Sequence, residues 1–190
     1  SHHYASMEIM NKAVLTHDPI QISEIDTTKL PTDPNYLNAN GKNKKVDLVI
    51  AGDLILDGGS IDVSGKGYPG GRGAYENGYG PGGGHYKRLR YCGSVHSGGG
   101  GHGGRGGNGQ TTGGIQNDSL PFPIDYGSGG GGGHCWEKGS FAYGGNGGGY
   151  IKIQAESIIF ANNSSSILAN GADGSGTGSS KGGGGAGGSI

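Results

Sequence analysis

The sequence predicts an all-β fold: a short β-helix, or solenoid, with a glycine-rich insert resembling polyglycine II and an extended amino-terminal arm. Of the 190 residues 48 are glycine, and the first of these is Gly41. Alternating apolar runs at 46–50 and 150–155 indicate strands on either side of the glycine-rich stretch. Glycine loses more conformational freedom on folding than any other residue, so a regular backbone hydrogen-bonded array must offset that loss.

An internal repeat supports the solenoid. Ala51–Leu56 aligns with Ala155–Phe160, and in both copies an alternating strand precedes this stretch while a polar turn and a further apolar patch follow it. Three short strands per copy are typical of one coil of a solenoid. We therefore predict repeat units near 46–73 and 150–174 in a β-solenoid domain over 41–190, with the glycine-rich insert at 74–149.

Residues 1–40 form the predicted amino-terminal arm. Met7–Leu15 suits a short strand or helix, and Ile20–Ile25 alternates as a strand does. An extended arm with apolar residues at alternate positions suits strand addition to a neighbouring subunit, and a strand folded back on its own body is the alternative. The residues expected to carry an assembly role are Ile9, Val14, Leu15, Ile20, Ile22 and Ile25.

The end of the sequence repeats the approach to a strand. Gly182–Ile190 resembles Gly144–Ile151, where glycines lead into an apolar alternating run. A further strand is therefore expected to begin at Ile190, where either the sequence stops within a unit or a partner subunit continues the fold.

Composition argues against several classes of protein. The formal net charge of −1 gives no basic surplus for nucleic acid or an anionic membrane surface. No run of about eighteen apolar residues suggests a membrane span. Strings such as Gly65–Gly70 resemble phosphate-binding loops, but no helical pattern follows them, so we expect no cofactor.

Two cysteines, Cys92 and Cys135, lie in the glycine-rich insert. In a secreted protein such a pair suggests one disulfide, which would close a loop of about 40 residues and stabilise the fold by about 3–4 kcal/mol. The alternative is a zinc site in which His96 and His134 supply two further ligands, although this spacing matches no common zinc motif.

Asn117, Asn162 and Asn163 each begin an N-x-S/T tripeptide, the acceptor pattern for N-glycosylation. Asn162 and Asn163 fall in a predicted turn between strands, where a glycan could be accommodated.

Val46–Gly73 and Gly144–Ile190 together resemble glycine-rich extracellular β-helix repeats of large secreted or surface proteins, in which strand units of the type "SIDVSGKG" alternate with GGxGGG segments. The glycine runs alone resemble the tip adhesins of bacteriophage tail fibres, which pack polyglycine II helices. The first resemblance implies a structural or adhesive role outside the cell and implies no reaction.

We therefore expect a non-catalytic structural subunit of an extracellular filament or matrix, made of identical subunits joined by strand pairing. Asp47, Asp53, Asp57 and Asp62 fall at predicted strand ends and turns, where carboxylates cap turns rather than catalyse. The alternative is a surface-binding adhesin that recognises a glycan or an outer-surface protein. The features that favour an adhesin are the tyrosines of the insert, Trp136, and a basic set of Arg72, Lys87, Arg88, Arg90 and Arg105.

Overall fold

The structure, a computed structural model, describes residues 1–73, 75–90, 94–119, 121–137, 139–177 and 180–190. Within these ranges the regular elements are β-strands, apart from one turn of 3-10 helix at Ile22–Glu24 and one turn of α-helix at Ala39–Lys42. The predicted all-β class is therefore confirmed. The strands in chain order are β1 (His2–Tyr4), β2 (Met7–Met10), β3 (Val14–Leu15), β4 (Val46–Ile50), β5 (Asp53–Asp57), β6 (Ser60–Asp62), β7 (Lys87–Leu89), β8 (Val95–His96), β9 (Gly133–Cys135), β10 (Ser140–Tyr143), β11 (Ile151–Gln154), β12 (Ser157–Phe160), β13 (Ser166–Leu168), β14 (Ser175–Gly176) and β15 (Ser180–Lys181).

Three segments of the chain build three parallel sheets. We call residues 2–15 the first segment, 46–62 the second and 151–168 the third; each gives one strand to each sheet. The sheet orders are β1-β4-β11, β2-β5-β12 and β3-β6-β13, so the second segment is central in all three. The first segment, inside the predicted arm, thus adds a third strand to each strand pair that the second and third segments form.

Apolar side chains in register form the core of these sheets. Leu54, Leu56 and Ile61 of the second segment are fully buried, and burial of each contributes about 1.5–3 kcal/mol. Each has one partner in the first segment and one in the third. The registered sets are Met7, Leu54 and Ile158; Ile9, Leu56 and Phe160; and Leu15, Ile61 and Ile167.

The strand predicted over Ile20–Ile25 is wrong. Ile22–Glu24 is a 3-10 turn, because the Glu24 carboxylate accepts a hydrogen bond from the backbone N–H of Gln21 at 2.7 Å and closes a capping box. The Lys44 ammonium fixes the same carboxylate at 2.8 Å. Local side-chain bonding therefore overrides the apolar alternation.

Backbone hydrogen bonds organise the glycine-rich region. Gly127 and Gly130 donate to segment 144–149, and Gly145 and Gly148 of that segment donate to segment 182–188. The backbone N–H groups that donate to the same neighbouring segment are thus three residues apart. The residues between them form hydrogen bonds with other segments. A β-strand has period two and cannot bond in this pattern. We call 67–71, 98–101, 127–131, 144–149 and 182–188 the glycine array.

Most glycines of the array cannot be replaced without strain, because their backbones lie in contact with neighbouring backbone. A Cβ on Gly147 would lie 1.8 Å from the carbonyl oxygen of Gly127. At one border of the array lies a four-stranded sheet of order β14-β10-β9-β7, next to the parallel pair β8 and β15. Backbone hydrogen bonds such as Gly149 N to Val63 O connect the array to the parallel sheets, whose own core is made of apolar side chains.

Candidate functional site

The three parallel sheets end in two open edges. β1, β2 and β3 form the first-segment edge, and β11, β12 and β13 form the third-segment edge. Within the described ranges, no other strand pairs with β2 or β12. Both edges therefore present backbone N–H and C=O groups that another strand could bond.

The third-segment edge exposes core-type side chains. Ile158 is 43% exposed and Phe160 is 54% exposed, whereas their register partners Leu54 and Leu56 are both 0% exposed. The side-chain direction is the same at each pair, because registered residues of a parallel sheet point to the same face. The difference is that Leu54 and Leu56 have a strand on both sides, whereas Ile158 and Phe160 have one on a single side.

The first-segment edge carries an apolar groove of about 370 Å³ lined by Met7, Ile9, Val14 and Leu15, with other residues of the same segment. Ile9 is 8% exposed and Val14 is 58% exposed. This edge therefore offers an exposed apolar side chain at Val14, whereas Ile9, which shares the register of Leu56 and Phe160, is already buried.

The third-segment edge already has the first contact of a further strand. Ser189 bridges Tyr150 in parallel, and Ile151 N donates to Ser189 O at 2.9 Å. Between the second and third segments, Val46 N donates to Tyr150 O at 3.0 Å in the same way. Ile190 thus lies where a further strand of this sheet would begin, as the sequence predicts.

The predicted arm residues divide into two groups. Ile9, Val14 and Leu15 belong to the first segment and pair with their own chain, which corresponds to the fold-back alternative, yet they lie at an open edge. Ile20 and Ile25 are buried in a separate core and Ile22 lies in the 3-10 turn, so these three do not suit contact with a neighbour.

That separate core surrounds a cavity of about 630 Å³ whose wall includes Tyr36, Tyr68, Tyr126 and Tyr150. Asp125 also lines it, and the Asp125 carboxylate accepts hydrogen bonds from the Tyr68 hydroxyl at 3.2 Å and from Tyr126 N–H at 2.7 Å. Burial raises the pKa of Asp125 to about 6, against 3.8 in an unfolded chain. Between about pH 4 and pH 6 the folded protein therefore keeps a proton on Asp125 that the unfolded chain has released.

Replacing Asp125 by asparagine should change the pH dependence of stability. Because the folded pKa is raised, the carboxyl costs nothing below about pH 4, and its cost grows as pH rises through about 6. We expect Asp125→Asn to raise the free energy of unfolding by about 2 kcal/mol at pH 8 and to bring no such gain at pH 4. Denaturant titrations of both proteins at the two pH values measure this, with the exposed Asp57→Asn as control. An equal effect at both pH values would contradict it.

The cysteine prediction stays a prediction, because Cys92 lies outside the described residues. Cys135 is fully buried in β9. In the part of the chain that the structure describes, no three His, Cys, Asp or Glu side chains are grouped to hold a metal ion.

The acceptor asparagines differ in exposure. Asn162 and Asn163 are exposed in the turn between β12 and β13, and the Asn162 carboxamide oxygen accepts from Ser164 N–H at 3.0 Å. Both amide atoms of Asn117 are buried, so a glycan there would displace the surrounding chain. Glycan attachment remains a prediction, and Asn162 and Asn163 are the sites that suit it.

Sequence reasoning assigned Ile158 and Phe160 to a strand but missed them as an open edge. No sequence signal distinguishes an apolar residue with two neighbouring strands from one with a single neighbour.

Of the described helices, none has the length and apolar character to cross a membrane. Comparisons with protein-family models, curated proteins and solved structures give no match for this chain.

Proposed function

We propose that this chain is a structural subunit of an extracellular filament or matrix, in which copies join head to tail through the two open edges. The observation that carries this proposal is that Ile158 and Phe160 are exposed although their register partners in the second segment, Leu54 and Leu56, are buried. Apolar side chains left open at a strand edge favour association with another strand.

The fold we propose for the subunit is a short β-helix. Its support is that each segment visits the three sheets in the same order and that the strands of neighbouring segments pair in parallel in all three sheets. A stack of this kind grows by adding layers, since each layer contacts only its neighbours.

For the glycine array we propose polyglycine II packing. The three-residue recurrence of the hydrogen bonds supports this, because a polyproline II-type helix has three residues per turn and no internal hydrogen bonds. Such an array would stiffen the subunit beside the sheets.

The register indicates how copies would meet. If the first segment of the next copy pairs with the third segment in the register seen within the subunit, Ile158 lies beside Met7 of the next copy. Phe160 then lies beside Ile9 of the next copy. The same continuation places His2 of the next copy beside Ile153. Because two different edges join by translation, the contact does not close, and repetition gives a filament.

The extracellular setting of the proposal has separate support. The repeat units resemble those of extracellular β-helix proteins, and a disulfide between Cys92 and Cys135 would suit an oxidising compartment. The proposed role is mechanical and needs no reaction at the edges.

A charge at the third-segment edge tests the proposal. We expect Phe160→Asp to abolish fibres seen by electron microscopy and to leave a monomer in sedimentation, because a buried carboxylate would face Ile9 of the next copy. The variant keeps its first-segment edge, so a small proportion of it mixed with the unchanged protein should cap and shorten the fibres.

Phe122→Asp is the matched control, since Phe122 is 79% exposed and lies outside both edges. This control should assemble as the unchanged protein does. Fibres of normal length from Phe160→Asp, or an unchanged protein that stays monomeric at every concentration, would overturn the proposal.

A further inference from the structure

A row of rings and one guanidinium lies on the four-stranded sheet, away from the two open edges. Its exposed members are Tyr75, Tyr86, Arg88, Trp136 and Phe141, which we call the aromatic–arginine face. The Arg88 guanidinium lies 4.7 Å from the Tyr75 ring centre and 5.5 Å from that of Trp136. The Tyr75 and Tyr86 ring centres are 6.1 Å apart.

Strand register fixes much of this face. Arg88 on β7 is paired with His134 on β9, and His134 is paired with Phe141 on β10. The His134 and Phe141 rings stack at 4.6 Å with 20° between their planes, and Trp136 meets His134 edge to face at 5.9 Å. Backbone pairing therefore sets the positions of Arg88, His134 and Phe141 in this face.

The exposed rings of this face do not contribute the free energy of burial that the same rings would contribute in a core. Trp136 is 62% exposed and Tyr75 is 49% exposed, although the chain has few large apolar groups to spare for its own core. Exposed aromatic rings held rigidly suit stacking on the apolar face of a sugar.

The positive charge of the aromatic–arginine face indicates that its ligand is anionic. Among the described residues, no carboxylate forms an ion pair with Arg88. Arg90 lines the same cavity of about 550 Å³ as Arg88 and Trp136, whereas Arg105 lines a different one. A guanidinium held between two rings presents a planar set of donors that matches a carboxylate or sulfate group.

We propose that the aromatic–arginine face binds an acidic polysaccharide, with Trp136 and Tyr75 against sugar rings and Arg88 bonded to the anionic group. This site is independent of the proposed filament contacts. In a filament it would repeat once per subunit, and many weak sites along one polymer would act together.

Trp136 is the one tryptophan of the sequence, so its fluorescence reports on the site directly. We expect polygalacturonate, which carries carboxylates, or dextran sulfate to change the emission in a saturable way, and neutral dextran to have no effect. Comparing the two anionic probes identifies the preferred group.

Substitutions test the roles of the side chains. Arg88→Gln should weaken binding at least about tenfold, and Arg88→Lys should weaken it less, because lysine keeps the charge but loses the planar donor set. Trp136→Ala, followed by calorimetry, should also lose about tenfold. Arg105→Gln and Phe122→Ala remove a cation and an exposed ring elsewhere, and both should bind within about twofold of the unchanged protein.

The Phe160→Asp variant separates this site from assembly, since as a monomer it should still show the fluorescence change. The inference is overturned if neither anionic probe alters Trp136 emission, if Arg88→Gln binds as well as the unchanged protein, or if neutral dextran binds equally well. Stronger binding of single-stranded DNA than of either polysaccharide would also overturn it.

Discussion

Replacing Gly147 by alanine is expected to destabilise the protein by about 4 kcal/mol or more. The new Cβ would lie 1.8 Å from Gly127 O and 2.2 Å from Gly127 C. No side chain can move aside there, because the obstacle is backbone. Separating the two backbones would also strain the bonds from Gly147 N to Tyr68 O, at 2.9 Å, and from Gly67 N to Gly147 O, at 2.7 Å.

Gly107→Ala is the matched control for this prediction. Gly107 accepts a hydrogen bond from Gly99 N at 2.9 Å, yet a Cβ there would meet nothing within 4 Å. This variant should be neutral, or more stable by about 0.5 kcal/mol through a less flexible unfolded chain. Urea titrations of both variants measure the difference. Similar losses for the two would mean that close backbone contact is not what requires glycine in the array.

Truncating Leu56 should cost the monomer about 3 kcal/mol, whereas truncating Phe160 should cost it less than about 1 kcal/mol. The two residues are register partners on β5 and β12, and phenylalanine is the larger side chain. If side-chain size alone decided the loss of stability, Phe160→Ala would cost more than Leu56→Ala. Leu56 is nevertheless 0% exposed and Phe160 is 54% exposed, so Leu56→Ala leaves a cavity and Phe160→Ala does not.

This comparison requires protein concentrations at which no assembly occurs, with unfolding followed by circular dichroism. Ile158→Ala provides a second edge variant, because Ile158 is also the register partner of a fully buried leucine, Leu54. An equally large loss for Phe160→Ala would show that the third-segment edge is covered in solution, and the proposed contact between copies would lose its main support.

Part of the architecture was predictable from local pattern. The aligned stretches Ala51–Leu56 and Ala155–Phe160 lie side by side, and Leu54 faces Ile158 as the alignment pairs them. This agreement has a simple reason: in a parallel stack, equivalent positions of successive layers point to the same face, so similar sequences settle in register.

The first segment was harder to recognise. Met7–Met10 and Val14–Leu15 are short, and Asn11 and Lys12 between them adopt positive φ of 55° and 64° without the glycine that usually marks such a turn. Its strands form because β5 and β6 offer them edges to bond, a condition that lies outside the segment itself.

The sequence by itself determined the all-β class, the second and third segments, and the need for an array of glycine backbones, because strand alternation and the lack of a Cβ are local properties. Only the tertiary structure decided that the first segment completes the sheets, that Phe160 stays open while Leu56 is buried, and that Arg88 lies between Tyr75 and Trp136. Each of these three features depends on which residues from distant parts of the sequence are brought into contact. Burial and ring stacking are set by those contacts and cannot be predicted from the local sequence.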